Sequence, residues 1–286
     1  MPDISHLSAV KLRRLIAKTI ADEPEPARSV LQQNIDNAIL SMFLDGIGVL
    51  KGGGSLSLRY SPAEGRMSRD LDAAIRDDMD SFIAELARRL REGCHGFTGV
   101  VEPQSRGDTD GIRAGMRPFD VALKYNGGSF TTLEFEASPD HSGFISDVAP
   151  AIDPKTLDVL RRIGLDIEPP LMLDPLDQLA DKLHAVSKPG RARGRDLADI
   201  ARIVQRSKPL DLDDLRRRVR NVEQCETVNP HAVHMLENGN EFESRLRASF
   251  EATKTSADFD ECLALTQFLL KQVDEDYQGE WVASWD

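Results

Sequence analysis

The sequence predicts an α/β chain, with a mixed β-sheet flanked by helices over about residues 1–150 and a mainly helical domain over 151–286. Three observations carry this expectation. A short apolar strand runs into three glycines in VLKGGGS (49–55), and a second strand, DLDAAI (70–75), follows one loop later. The stretch FDVALKYNGGSFTTLEFEAS (119–138) alternates on both sides of Asn126-Gly127-Gly128, which is the pattern of a β-hairpin. From about Pro154 onward, apolar residues recur almost throughout at helical spacing.

Taken in order, the chain opens with an amphipathic helix, and a second is expected near Pro26 to Leu44, where Val30, Ile35, Ile39, Met42 and Phe43 keep helical spacing. Ile47 to Leu50 reads as a short strand, Gly52 to Gly54 as a turn, and Ser55 to Tyr60 as a helix or a further strand. Asp70 to Ile75 is the next strand. Met79 to Arg91 is helical, with Phe82, Ile83, Leu86 and Leu90 inward and Arg88, Arg89 and Arg91 outward. Asp174-Pro175 is an N-cap followed by proline at the first helical position, and Leu176, Leu179, Leu183 and Val186 form the buried stripe of the helix it starts. The following helix turns Leu197, Ile200, Ile203 and Val204 inward and leaves Asp196 and Asp199 three residues apart on another face. CLALTQFLLKQV (262–273) reads as a packed terminal helix.

Composition limits the function classes. No run approaches the ~20 apolar residues that a membrane span needs, so no membrane partner is expected. The N-terminal stretch has Asp3 and a broken amphipathic pattern in place of a basic flank and apolar block, and a cytoplasmic location is expected. Cys94, Cys225 and Cys262 are widely spaced and odd in number, which disfavours a disulfide framework and suggests buried thiols. His184, and His231 with His234, lack a third Cys or His partner, so no zinc site is expected. A net charge of −12 argues against bulk coating of nucleic acid, yet charge is uneven: Lys182 to Arg220 holds 12 Lys or Arg against 5 Asp, and the 66 residues from Asn221 hold 4 basic against 14 acidic. The basic belt around Lys188, Arg191, Arg193, Arg195 and Arg216 to Arg220 fits an anion site or charge blocks that pair with one another.

The chemistry concentrates between Lys51 and Asp72. On a strand, Asp70 and Asp72 leave one face about 7 Å apart along the chain while Leu71 enters the core. Two such carboxylates can share divalent metal. Gly52 and Gly53 remove Cβ atoms that would keep a triphosphate from backbone N–H groups, and Ser55 adds a hydroxyl. A third carboxylate is available from the hairpin, where Glu134 and Glu136 share a face, with Glu136 preferred because it lies nearer the strand end. A glycine triplet alone is more often a turn, and Asp-Leu-Asp alone more often a solvated strand face; in this order they describe a site for a metal-bound nucleotide. A P-loop is disfavoured because Lys51 precedes the glycines instead of following them.

KGGGSL, RMSRDLD, DQLADKLHAV and GRDLADIARIV, in that order over about Ala27 to Val204, resemble the AbiEii/AbiGii toxin branch of the nucleotidyltransferase superfamily, which includes the Men toxins. In this chain a third glycine, Gly54, precedes Ser55 where the family usually has Thr or Ser. The resemblance implies a nucleotidyltransferase fold with the nucleotide cleft completed by the helical domain. It implies transfer of a nucleotide from a nucleoside triphosphate to the 3′ end of tRNA, blocking aminoacylation and translation, by the toxin of a type IV-like toxin–antitoxin (abortive infection) system. Asp70 and Asp72, with Glu136, would hold Mg²⁺ or Mn²⁺; Lys51, Gly52, Gly53, Gly54, Ser55, Arg66 and Lys182 would bind the nucleotide. Lys182, Asp196 and Asp199 join the implied catalytic set, with either Asp holding Lys182 or the base, or else capping the helix or pairing with Arg195 or Arg202. A cognate antitoxin, kinase-like or an AbiEi-like DNA-binding protein, is the implied partner. Ser68 lies two residues before Asp70, where similar Men toxins carry a serine that a kinase-like antitoxin phosphorylates, and is the candidate regulatory site. A small-molecule nucleotidyltransferase of the antibiotic-modifying kind and a catalytically silent nucleotide-binding module remain the alternatives, since fold alone decides neither.

Overall fold

A computed structural model describes residues 2–68, 70–76, 78–104, 115–140, 148–207, 209–226, 230–233, 235–237, 239–253, 255–274 and 284–285. They form two compact units, the first reaching Leu173 and the second running from Asp174 onward.

The first unit is built on a seven-stranded mixed sheet. Its helices are α1 (Ala9–Thr19), α2 (Ala27–Ser41), α3 (Gly52–Arg59), α4 (Met79–Glu92) and α5 (Pro154–Arg162). Its strands are β1 (Val49–Lys51), β2 (Asp70–Ile75), β3 (Phe97–Pro103), β4 (Arg117–Tyr125), β5 (Gly128–Pro139), β6 (Val148–Pro150) and β7 (Leu171–Leu173), in the spatial order β3-β4-β5-β2-β1-β7-β6. β2 runs parallel to β5 and antiparallel to β1, so the sheet is mixed at its centre. The expected hairpin is present: Tyr125 pairs with Gly128 across Asn126-Gly127, both at positive φ, as a two-residue turn of matching twist requires. One face is apolar. Leu71, Ala73, Phe119, Val121, Phe135 and Ala137 leave alternate positions of β2, β4 and β5 to meet Leu12 and Ile16 of α1, Leu31 and Ile35 of α2, and Phe82 and Leu86 of α4 in a single core. α4 is fixed at its start by Asp78, whose carboxylate accepts from the amides of Asp80 and Ser81.

Two sequence readings are corrected here. The glycine triplet is not a turn before the next element; it is the first turn of α3, which begins at Gly52. Of the three thiols only Cys262 is buried, while Cys94 and Cys225 are partly exposed, and all three are free.

The second unit packs α6 (Pro175–Val186), α7 (Gly194–Arg206), α8 (Leu212–Cys225), α9 (Asn240–Glu251) and α10 (Phe259–Val273), with β8 (Leu210–Asp211) paired to β9 (Ser284–Trp285). α7 touches α6, α9 and α10, and its Leu197, Ile200 and Ile203 are fully buried. Among the described residues no helix is long and apolar enough to cross a membrane.

Candidate metal and nucleotide site

The parallel register of β2 and β5 sets Asp70 beside Glu134 and Asp72 beside Glu136. Leu71 and Phe135, between them in sequence, enter the core, so all four carboxylates leave the opposite face of the sheet. Within this group Asp70, Asp72 and Glu136 each offer a ligand oxygen within 4.8 Å of the other two. Of the two hairpin carboxylates it is Glu136 that joins the cluster, and Glu134 is exposed. Three carboxylates and no sulfur or imidazole make a hard oxygen donor set, which suits Mg²⁺ or Mn²⁺.

α3 begins against this cluster. Lys51 is its N-cap, in extended conformation and with no capping side-chain bond, and Lys51 is also the register partner of Asp72. The first-turn N–H groups at Gly52 to Gly54 have no intrahelical acceptor, which makes the helix start a place for negative charge. The glycines are needed for a reason beyond ligand approach. A Cβ on Gly52, whose φ is +67°, would lie 2.1 Å from Asp72 Oδ2, and one on Gly53 would lie 2.6 Å from Arg66 Nη2 and 2.8 Å from Ser68 Oγ. The missing side chains let the chain's own carboxylate strand and its lead-in close on the helix. Arg66 is buried and donates to the Met67 carbonyl at 3.2 Å. Ser68 is 4% exposed and its hydroxyl donates to Asp70 Oδ1 at 3.2 Å. Ser55 is fully buried, and its hydroxyl donates back to the Gly52 carbonyl at 3.0 Å. Gln33 and Asn34 of α2, which the sequence reading did not single out, also bond into this region.

The family model described as the nucleotidyl transferase AbiEii toxin of type IV toxin–antitoxin systems matches residues 39–279. The chain belongs to this AbiEii family. Among solved structures it is similar to MenT4, a nucleotidyltransferase toxin from Mycobacterium tuberculosis, at 18% identity and a TM-score of 0.54, covering 92% of this chain and 99% of that one. It is also similar to JHP933 from Helicobacter pylori, at 15% identity and a TM-score of 0.49 over 89% and 94% of the two chains. At these identities the likeness to MenT4 is one of fold. No curated protein matches the sequence. The AbiEii assignment, with the sheet described above, makes the chain a nucleotidyltransferase of a toxin family, as the four sequence motifs led one to expect.

The two later AbiEii-like motifs meet in the second unit. The Lys182 ammonium on α6 donates to Asp196 Oδ1 at 2.6 Å and to Asp199 Oδ2 at 2.7 Å, both on α7. The Lys182 side chain is 11% exposed, and those of Asp196 and Asp199 are 0% and 1%. Arg193 adds a bond to the other Asp196 oxygen at 2.5 Å. Burial works against ionisation of Asp196, but the charges of Lys182 and then Arg193 outweigh it and hold the carboxyl well below the usual carboxylate range. Both aspartates hold Lys182; neither is spent on capping, since the N-cap of α7 is Arg193.

Much of the basic belt is paired internally. Arg218, with its side chain 11% exposed, bonds Asp177 and, at 3.0 Å, Asp214; Arg216 bonds Asp213, Arg217 bonds Asp214, and Arg220 meets Glu223 at 2.7 Å. These arginines pair mostly with aspartates of α6 and of α8 itself, and of the acidic block that follows only Glu223 is among the partners named here. His184 and His231 stack with ring centroids 4.0 Å apart, whereas His234 lies outside the described residues.

Proposed function

We propose that the chain is a divalent-metal-dependent enzyme that transfers a nucleoside monophosphate from a nucleoside triphosphate to the 3′ end of tRNA, as the toxin of a type IV-like toxin–antitoxin pair. The observation that supports this most is the convergence of Asp70, Asp72 and Glu136 within 4.8 Å beside the glycine start of α3. These three carboxylates would hold Mg²⁺ or Mn²⁺. An ion held there would polarise the phosphates and lower the pKa of the attacking hydroxyl. The first-turn amides of α3, with Lys51 and Arg66, attract the triphosphate. The family resemblance also implies that Lys182, whose ammonium is held by Asp196 and Asp199, serves the nucleotide phosphates. The 3′ hydroxyl oxygen forms a bond to the α-phosphorus, the α–β bridging bond breaks, pyrophosphate leaves, and the hydroxyl proton passes to solvent.

The tRNA acceptor is carried by the family resemblance. An antitoxin, kinase-like or AbiEi-like, would act on the toxin or its promoter. Phosphorylation of Ser68 would put about −1.5 to −2 charge beside Asp70, where a triphosphate must bind, and silence transfer. Mass spectrometry that finds no added phosphate on Ser68 after incubation with a kinase-like cognate antitoxin and ATP removes that route.

Purified protein incubated with total tRNA, Mg²⁺ and each α-³²P nucleoside triphosphate in turn, beside Asp70→Ala, tests the reading. Label in tRNA-sized bands, absent with Asp70→Ala, is expected. No label with any of the four nucleotides would contradict an RNA acceptor and favour a small-molecule one.

A further inference from the structure

Two neighbouring side chains on α2 bond to both halves of the site. The Gln33 side-chain carbonyl accepts from the Ser68 N–H at 3.1 Å, and its NH₂ donates to the Ser68 carbonyl. Pairing both backbone groups of one residue is what an adjacent strand would do. Here a side chain 35 residues away does it, at a place where Gly65 to Ser68 have no regular structure of their own. Asn34, fully buried, donates to the Ser57 carbonyl at 2.8 Å and accepts from the Ser57 hydroxyl at 2.8 Å. Ser57 belongs to α3, the helix that starts with the glycines, and Ser68 lies two residues ahead of Asp70.

We infer that Gln33 and Asn34 are positioning residues, which set the distance between the glycine helix and the metal-binding carboxylates. Adjacent on one turn of α2, the two amides tie α3 and the lead-in of β2 to the same support. From Ser68 the constraint passes to the ligand itself, because the Ser68 hydroxyl bonds Asp70 Oδ1 at 3.2 Å. The approach on the other side is close as well: Ser68 lies so near α3 that a Cβ added at Gly53 would stand 2.8 Å from its Oγ, and the two Gln33 bonds hold the Ser68 backbone in that place. Partners behind the first ring of ligands orient those ligands and raise metal affinity without touching the ion. The inference rests on the reading of Asp70, Asp72 and Glu136 as a metal centre.

The test uses the full chain with Gln33→Met, which keeps the side-chain length and removes both bonds, and Gln33→Glu, whose carboxyl donates to the Ser68 carbonyl only when protonated. Mn²⁺ affinity is read from the electron paramagnetic resonance of the free ion, at a temperature where circular dichroism shows each variant folded. Exchange of the Ser68 amide is followed by nuclear magnetic resonance. Gln33→Met is expected to bind Mn²⁺ about tenfold more weakly or worse than wild type, with faster exchange at Ser68. Gln33→Glu is expected to fall short of wild type by less at about pH 4.5, near the ordinary value of a glutamate carboxyl, than at about pH 8. Wild-type affinity in Gln33→Met, or a deficit in Gln33→Glu that does not change with pH, overturns the inference while leaving the metal centre standing. A wild-type protein that takes up no Mn²⁺ overturns the metal reading, and this inference with it.

Discussion

Replacing Lys182 by Met should destabilise the protein by about 3–5 kcal/mol, the usual loss when one member of a buried ion network is removed. The magnitude follows from the geometry. Lys182 Nζ lies 2.6 and 2.7 Å from oxygens of two aspartates that are 0% and 1% exposed. At these distances each attraction is worth about 6 kcal/mol at an effective dielectric of about 20, and the sum is offset by the mutual repulsion of the two aspartates and by the several kcal/mol no longer spent on desolvating the ammonium. Methionine fills the same volume, so lost packing contributes little. With Lys182 gone, Asp196 keeps its bond to Arg193, and the two buried aspartates lose the ammonium that they share. The deficit should therefore shrink as pH falls, because one of the two carboxyls can take up a proton in the variant. Urea unfolding followed by circular dichroism at about pH 8 and about pH 5 measures both effects. The double variant Lys182→Met/Asp199→Asn should be less destabilised than Lys182→Met alone, by about 1–3 kcal/mol, as the surplus charge is removed. A Lys182→Met protein within about 0.5 kcal/mol of wild type at both pH values would refute the argument.

Other expectations concern the first unit. Burial pushes the Asp36 carboxyl on α2 from its ordinary 3.8 up to about 7, against hydrogen bonds from Gln32 and Thr131 and the charge of Arg13. Because its folded value is raised, its contribution is fully present below about pH 4 and is lost as pH rises through about 7, so Asp36→Asn should be more stable than wild type at pH 8 by up to about 4 kcal/mol; equal urea midpoints at pH 8 would show the carboxyl is not so held. Mn²⁺ at about a hundred times its dissociation constant should stabilise wild type by about 2.7 kcal/mol, and Asp72→Asn should lose this shift while its metal-free midpoint is unchanged or higher, since one of three mutually repelling carboxylates is gone; an undiminished thermal shift in Asp72→Asn would contradict the assignment. Gly52→Ala puts a methyl 2.1 Å from Asp72 Oδ2 on a backbone with φ +67°, which should cost about 1–3 kcal/mol and weaken Mn²⁺ binding as Asp72 is displaced; wild-type Mn²⁺ affinity in that variant would show the contact to be soft.

The parts of the fold legible in the sequence were those with a local pattern. The period-two alternation around Asn126-Gly127 gave the hairpin, and the same alternation put Asp70 and Asp72 on one face. The pairing of β2 with β5, which brings both hairpin glutamates beside Asp70 and Asp72, was not readable from pattern, and neither was the closeness of carboxylate oxygens that puts Glu136 in the trio. Glycine's weak helix propensity made a turn the natural reading of residues 52–54; tertiary contacts with Asp72, Arg66 and Ser68 override it, because a helix start without side chains is what lets them close. β6 and β7, three residues each, carry no pattern long enough to separate from loop, yet they complete the sheet. Lys182 with Asp196 and Asp199 was legible as a set of charges on two helices, while Gln33 and Asn34 act over 35 and 23 residues of sequence through single amides that no spacing rule marks.

The central claim is that Asp70, Asp72 and Glu136 form the metal centre of a nucleotidyltransferase. Its most direct test is a crystal structure with Mn²⁺ and a non-hydrolysable nucleoside triphosphate, read in the anomalous difference map. A manganese peak in contact with oxygens of all three carboxylates is expected, with phosphates at the start of α3. A nucleotide-bound crystal with no anomalous peak at these carboxylates, or with manganese held elsewhere, would contradict it.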